Sequence, residues 1–256
     1  MGKLYTSIEE VLACTRKIFW YMQDALLGLG ATCFIVEYQK SFYVVTSRHG
    51  IHKADPNTIW IEKYPGARTS LPISELLSPT LADDLSGFEY ADLAFLRVEM
   101  DLLETDDLAK IVAFSLDDRD TEGPYALHLG EIYLRGYPKT NSTIDYESCT
   151  IRTQAFLVEA RYVGPSDNTW GLHEILLAHP ELIETASGMS GSPVIQSIRL
   201  GNRLARIHLI GVLVRGSAAS GVAHFIDADL VFGILKEIHN TPKGEGVLLQ
   251  IIRENI

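Results

Sequence analysis

"ETASGMSGSPVI", residues 184–195, interrupts a chain that is 46% hydrophobic with a run of very small side chains. Between Ala186 and Pro193 the one large side chain is Met189. Such a run cannot fill a core. Serine and glycine are common in flexible linkers, but this run leads straight into an apolar strand, "PVIQSI". A tight turn entering a strand gives the main chain itself a task. If the turn is tight, the N–H groups of Gly188 and Ser190 face one small concavity, through backbone angles that glycine tolerates. Ser190 then becomes a candidate nucleophile, because attack on a carbonyl needs donors aimed at the developing oxyanion. A plain glycine-rich β-turn is the competing reading of the same residues.

A serine hydroxyl is a poor nucleophile until a base takes its proton. "YVVTSRHGI" places His49 just after a strand that ends at Thr46, a rigid place from which to present an imidazole. Seven other histidines, His52 among them, compete for the role, and an ordinary turn histidine is the structural alternative. The base in turn needs an orienter that holds its tautomer and stabilises the imidazolium. "EYADLAFLRVE" sets Asp92 at the head of an apolar strand. A half-buried carboxylate there needs a partner, although a strand-capping aspartate would look the same. Asp83 and Asp84 lie in a stretch that reads as solvated loop.

The rest of the chain is rich in short, turn-bounded β patterns. "ATCFIVEY" and "SFYVVTS" flank a polar "QK" pair and read as a hairpin. "NTIWIEKY" and "ADLAFLRVE" are further strands, with a loop or short helical pieces expected in "TSLPISELLSPTLADDLSG". From about residue 110 follow "YALHLG", "EIYLRGYP", "STIDYESCTIRTQAFLVEARYVG", "LLAHPEL", "SPVIQSIRL", "RIHLIGVLVRGS" and "GVAHFID". "ADLVFGILKEIHN" has helical periodicity, and "GVLLQIIRE" suits a last strand. At the other end, Ile8, Leu12, Ile18 and Phe19 recur at roughly helical spacing behind Ser7, Glu9 and Glu10, which predicts an amphipathic helix over 7–25.

Totals set the class. A chain of 256 residues buries a core without staples. With 33 acidic against 22 basic residues the net charge is -11. That argues against a nucleic-acid binder, which neutralises phosphates with Lys and Arg, and against adhesion to anionic lipid. The three cysteines, Cys14, Cys33 and Cys149, are widely spaced and read as buried, reduced thiols of a cytoplasmic protein. No HExxH, cysteine–histidine cluster or glycine-rich phosphate loop is present, so neither a metal nor another cofactor is expected. The first 30 residues lack the unbroken apolar core of a signal peptide, and no stretch is long enough to span a bilayer. "MGKLYT" fits the N-myristoylation pattern, which is short enough to recur by chance.

The order His49, Asp92, Ser190 joins the three motifs, and the chain resembles the trypsin-like (chymotrypsin-fold) serine peptidases over about residues 28–240. "VVTSRHGI" resembles the family's histidine block, "ADLAFLRV" its aspartate block and "SGMSGSPVI" its serine block. "GLGATCFIVEY" is similar to the first barrel strand, "LIGVLVRGS" to the strand lining the substrate cleft, and "VAHFIDADLV" to the closing strand and helix. Met189 stands where secreted digestive relatives usually have Asp, and Ser192 where many have a third glycine. "SGSP" is similar to bacterial glutamyl endopeptidases and some viral relatives, and the whole resembles bacterial trypsin-like domains found inside cells.

The resemblance implies an all-β fold of two packed six-stranded antiparallel β-barrels, ending in a C-terminal helix, and the helix read from the spacing of its apolar residues adds an N-terminal segment (1–27). The first barrel (28–110) would carry His49 and Asp92, and the second (111–256) Ser190. It implies hydrolysis of peptide bonds in a peptide or protein substrate, through a Ser-His-Asp triad and an acyl-enzyme, with Gly188 and Ser190 as the oxyanion hole. Glu184, six residues before the nucleophile, matches the base of the primary pocket and favours a basic residue before the scissile bond. Arg215, on the cleft strand, either neutralises Glu184 or favours an acidic residue. Leu213 stands where glutamyl endopeptidases usually carry a histidine. A helix over 7–25 would be hard to reconcile with activation by a newly cut N-terminus, so no zymogen cleavage is expected. Restraint would come from a regulatory partner protein, a ligand or an occluded cleft. The alternative function is a catalytically silent module of the same fold that binds a peptide or partner protein. An α/β-hydrolase esterase would need the order Ser, acid, His and alternating helices, and has neither here.

Overall fold

The computed structural model describes residues 8–21, 27–51, 55–79, 92–116, 130–148, 150–166, 172–180, 187–200 and 203–244. A short helix, α1 (Ile8–Leu12), precedes a seven-stranded sheet. Its strands are β1 (Thr15–Tyr21), β2 (Leu27–Tyr38), β3 (Ser41–Ser47), β4 (Ile59–Ile61), β5 (Ile73–Leu77), β6 (Leu93–Val98) and, after helix α2 (Thr105–Lys110), β7 (Phe114–Ser115). They run in the order β4-β1-β2-β3-β6-β5, antiparallel, with β7 lying parallel to the end of β2. The sheet curls: the chain leaving β4 turns back on itself through a Glu62–Ser70 bridge and a bond from Leu71 N–H to Ile61 C=O before entering β5.

Three further elements follow: β8 (Glu131–Gly136) and the hairpin β9 (Ser142–Asp145) and β10 (Thr150–Thr153). Next come β11 (Phe156–Pro165), β12 (Leu172–Leu177), β13 (Pro193–Leu200), β14 (Arg203–Gly216) and β15 (Val222–Asp227). The strands β11-β12-β15-β14-β13-β8 close into a six-stranded barrel. The architecture is therefore mostly β, a closed barrel beside a curled sheet.

Both faces of β2 are covered, which is why "ATCFIVEY" reads as an unbroken apolar run. Cys33 and Ile35 face the inside of the curl with Ile18, Val44 and Leu96. Phe34 and Val36 face the other way, into a seam shared with Phe95, Ile195 and Val212. The barrel interior is filled separately by Leu134, Ile175, Val194 and Phe225. The hairpin expected at "QK" is present between β2 and β3, and Gln39 and Lys40 both take positive φ, 46° and 65°. Two such residues in succession match the right-handed strand twist.

The helix expected near the end of the chain is α3 (Ala228–Asn240). Asp227 caps it by accepting from Asp229 N–H at 2.6 Å. Its Val231, Ile234, Leu235 and Ile238 are buried in the seam, each contributing about 2 kcal/mol of apolar burial. Its last turn is clamped to the curled sheet: Arg97 on β6 donates to the carbonyls of Ile238 (2.8 Å) and Thr241 (3.1 Å), and the Tyr43 hydroxyl lies 2.9 Å from His239 Nδ1.

Two expectations are corrected. Among the described residues of the helix expected over 7–25, only Ile8–Leu12 are helical; "TRKIFWY" is strand β1, held between β2 and β4. Pairing on both edges outweighs a helical spacing that rested on four residues, and the β-branched and aromatic side chains suit a pleated surface. Ile18 enters the core of the curl and Phe19 meets Trp60 edge-on at 5.4 Å. The expectation of no zymogen cleavage loses the helix on which it rested. Likewise "ISELL" is not loop or helix but strand β5, paired with β6, where Glu75 meets Arg97 at 3.3 Å. The candidate strand "GVLLQIIRE" and most of "YALHLG" lie outside the described residues.

Candidate active site

Strand register brings the first two candidate residues together. β3 and β6 pair with Ser47 opposite Leu93, so the residues just after one strand meet the residue just before the other. Arg48 N–H donates to the Asp92 carbonyl at 2.7 Å. His49 N–H donates to Asp92 Oδ1 at 2.8 Å, and His49 Nδ1 lies 2.6 Å from Asp92 Oδ2. Gly50 follows because a Cβ there would stand 2.3 Å from the Cβ of Ala31. The carboxylate is mostly covered, at 19% exposure, while the imidazole is 55% exposed. A carboxylate accepts only, so it places the imidazole proton on Nδ1 and leaves the lone pair of Nε2 pointing outward. That nitrogen is 3.0 Å from Ser190 Oγ.

The Ser190 turn answers the puzzle of the small residues. Met189, its one large side chain, is buried in the barrel interior. Gly136 gives it room, since a Cβ there would sit 2.7 Å from Met189 Sδ and 2.3 Å from Ser192 Oγ. The turn's carbonyls are engaged one after another by inward donors. Lys139 N–H donates to Ser187 (2.9 Å), Thr32 Oγ1 to Gly188 (2.7 Å), Ser192 N–H to Met189 (3.0 Å), Thr32 N–H to Ser190 (3.1 Å) and Leu213 N–H to Ser192 (2.9 Å). In a trans peptide the N–H points away from the C=O. Fixing the carbonyls of Ser187 and Met189 inward therefore turns the N–H groups of Gly188 and Ser190 the other way, and neither donates to an acceptor among the described residues. Gly188 and Gly191 take φ of +91° and +87°, the left-handed region where glycine alone is unstrained.

Gly191 is the tightest point. A Cβ there would lie 2.1 Å from the Thr32 carbonyl oxygen and 2.4 Å from Thr46 Oγ1. Gly191→Ala is expected to cost about 3 kcal/mol or more, from a disfavoured φ and a main-chain collision together. Gly66 also has positive φ (+84°) but nothing within 4 Å, so Gly66→Ala should cost only about 1 kcal/mol. Urea midpoints of the two variants measure the difference; equal losses would mean that the Gly191 contact is easily relieved.

The remaining site candidates fall out unevenly. Leu213 is on β14, its amide and carbonyl both bonded to the turn (Gly191 N–H donates to it at 2.7 Å), and its side chain is buried beside Met189 in the barrel. Arg215, two residues further, is exposed. Glu184 lies outside the described residues. Of the competing histidines, His173 sits 2.8 Å from the Tyr162 hydroxyl, His224 is 3.1 Å from Glu174, and His239 meets Tyr43. Cys14 and Cys33 are buried free thiols. Burial pushes Cys14 up to about 11 and Cys33 well above its usual range, so neither ionises readily as a rival nucleophile. Cys149 lies outside the described residues. Among the described residues no cluster of His, Cys, Asp or Glu could hold a metal ion, and no helix is long and apolar enough to cross a membrane.

Sequence reasoning missed Thr32. It is fully buried on β2, its hydroxyl donates to Gly188 and accepts from Tyr137 N–H (2.9 Å), and its carbonyl accepts from Thr46 Oγ1 (2.7 Å). One residue thus ties the Ser190 turn to the strand that leads into His49. The available signal was a polar residue inside the apolar run "GLGATCFIVEY".

No family model matches the chain, and no curated protein matches it.

Proposed function

We propose that this protein is a serine endopeptidase of the trypsin-like type, with the curled sheet acting as the first of two barrels. One observation carries the reading: Asp92, His49 and Ser190 stand in a single hydrogen-bonded line beside two outward amides that have no acceptor among the described residues. Ser190 Oγ attacks the scissile carbonyl carbon while its proton passes to His49 Nε2. The carbonyl oxygen takes the negative charge, facing the N–H groups of Gly188 and Ser190. Collapse of the tetrahedral adduct breaks the C–N bond, and the proton on Nε2 goes to the departing amine. A water deprotonated by His49 then attacks the acyl carbon, the acyl C–Oγ bond breaks to release a carboxylic acid, and the proton on Nε2 returns to Ser190 Oγ. Asp92 accepts from Nδ1 and stabilises the imidazolium. The reading includes a peptide or protein substrate with a basic residue before the scissile bond, taken by Glu184, with Arg215 at the rim of the cleft. It also includes an intracellular location, consistent with the two free buried thiols.

A fluorophosphonate probe tests it. Covalent labelling of the wild type, with none of Ser190→Ala or His49→Ala, is the expected result. An unlabelled wild type would overturn the reading in favour of a silent module that binds a peptide or partner protein.

A further inference from the structure

Behind the candidate oxyanion turn lies a buried lysine, Lys17, that no step above uses. Lys17 is on β1, directly opposite Thr32 in the β1–β2 register, so both side chains rise from the same face. It is 4% exposed. Stripping water from an ammonium is costly, and proteins seldom bury one without a partner. Here the partner is a neutral carbonyl: Lys17 Nζ donates to the Tyr137 main-chain oxygen at 2.7 Å.

That oxygen is also the surface against which Gly188 lies. A Cβ on Gly188 would stand 2.7 Å from it. From the far side of the same residue, Tyr137 N–H donates to Thr32 Oγ1 at 2.9 Å, and Thr32 Oγ1 donates to the Gly188 carbonyl at 2.7 Å. An unbroken chain of contacts therefore runs from the ammonium to Gly188, the residue that carries the first of the two outward amides. We propose that Lys17 is a positioning residue for the oxyanion turn: its ammonium holds the Tyr137 carbonyl on which Gly188 rests, and its positive charge behind the turn favours negative charge in front of it. The proposal deepens the serine-peptidase reading and rests on it.

The charge effect has a sign that can be followed with pH. Burial, and secondarily the ammonium of Lys139, push Lys17 down to about 8, while the Cys33 thiol acts weakly in the opposite direction. These are the titratable groups that face Lys17 from β2 and from the segment after β8. Below pH 8 Lys17 is charged and the turn is fully supported. As pH rises through about 8 the charge is lost, the field behind the turn disappears, and acylation slows. The alkaline fall assigned to Lys17 is the one that replacing its ammonium with a permanently charged guanidinium should remove.

The experiment measures phosphonylation rates with the fluorophosphonate probe from pH 6 to 10 for wild type, Lys17→Arg and Lys17→Met. Wild type should lose rate above about pH 8. Lys17→Arg keeps its charge throughout, and should hold the pH 7 rate while abolishing the alkaline fall. Lys17→Met should be about tenfold slower at pH 7, less than the loss of a direct oxyanion donor, with no alkaline fall. If Lys17→Met matches the wild-type rate and keeps the fall, the proposal is wrong. A second measurement needs neither a folded Met variant nor activity: the backbone amide resonances of Gly188 and Ser190 in the wild type should titrate with a midpoint of about 8. Static resonances across that range would overturn the proposal. An inert wild type whose amides do titrate would instead mean that Lys17 holds the turn and the peptidase reading has failed.

Discussion

Ser190→Ala and His49→Ala are each expected to lower peptide hydrolysis on the order of 10⁶-fold, with the double variant no slower than either single one. The two side chains make one device. With the hydroxyl gone, the imidazole has no proton to take; with the imidazole gone, Ser190 Oγ keeps its proton at neutral pH and attacks poorly. Residual turnover should come from the Gly188 and Ser190 amides, which either variant leaves in place. Stability provides the contrast. The turn is held by Thr32, Lys139 and Leu213, which bond to its main-chain groups and not to the Ser190 side chain. Removing Oγ at Ser190 touches none of these bonds, so the urea midpoint of Ser190→Ala should stay at the wild-type value. A Ser190→Ala enzyme that keeps even a hundredth of the wild-type kcat would exclude Ser190 as nucleophile.

Asp92→Asn is expected to cost about 10⁴-fold in kcat while leaving the local fold in place. The two carboxylate oxygens have different tasks. Oδ1 accepts from the His49 main-chain N–H and fixes where the residue sits; Oδ2 accepts from Nδ1 and fixes which nitrogen carries the proton. An asparagine can still use its oxygen for the first task. Its NH₂ group then faces Nδ1 and makes that nitrogen an acceptor, which moves the ring proton to Nε2. Nε2–H then points at Ser190 Oγ, and the base arrives already protonated. Asp92→Ala should lose the main-chain anchor as well and so lower the urea midpoint, which the Asn variant should not. The comparison separates tautomer control from placement: equal midpoints with a 10⁴-fold loss in Asn would support it, whereas near-normal kcat in Asn would show that Asp92 only positions the loop.

How much of this was legible without a fold depends on how far apart the cooperating residues lie. His49, Asp92 and Ser190 could be picked out because each sits at a strand end with local punctuation: Thr46 before one, an apolar run after another, glycines around the third. The two halves and α3 were legible for the same reason, since strand alternation, turn residues and helical period are short-range patterns. β1 was misread because four apolar residues satisfied a helical spacing, and only its two neighbours, β2 and β4, decide that it is extended. β5 is likewise an edge strand by virtue of β6.

The site's support was out of reach for the same physical reason. Composition and local pattern alone are enough to place a candidate nucleophile in a turn of small residues and to ask for donors toward an oxyanion. They do not orient a peptide plane. The outward N–H groups of Gly188 and Ser190 follow from where the adjoining carbonyls find donors, Ser187 from Lys139 N–H and Met189 from Ser192, in a turn whose other carbonyls accept from Thr32 near one end of the chain and Leu213 near the other. The bond from Thr32 to Gly188 spans 156 residues, and that from Lys17 to Tyr137 spans 120. Local chemistry names the reacting atoms, while long-range pairing aims them, because hydrogen bonds are directional and their partners are set by strand register.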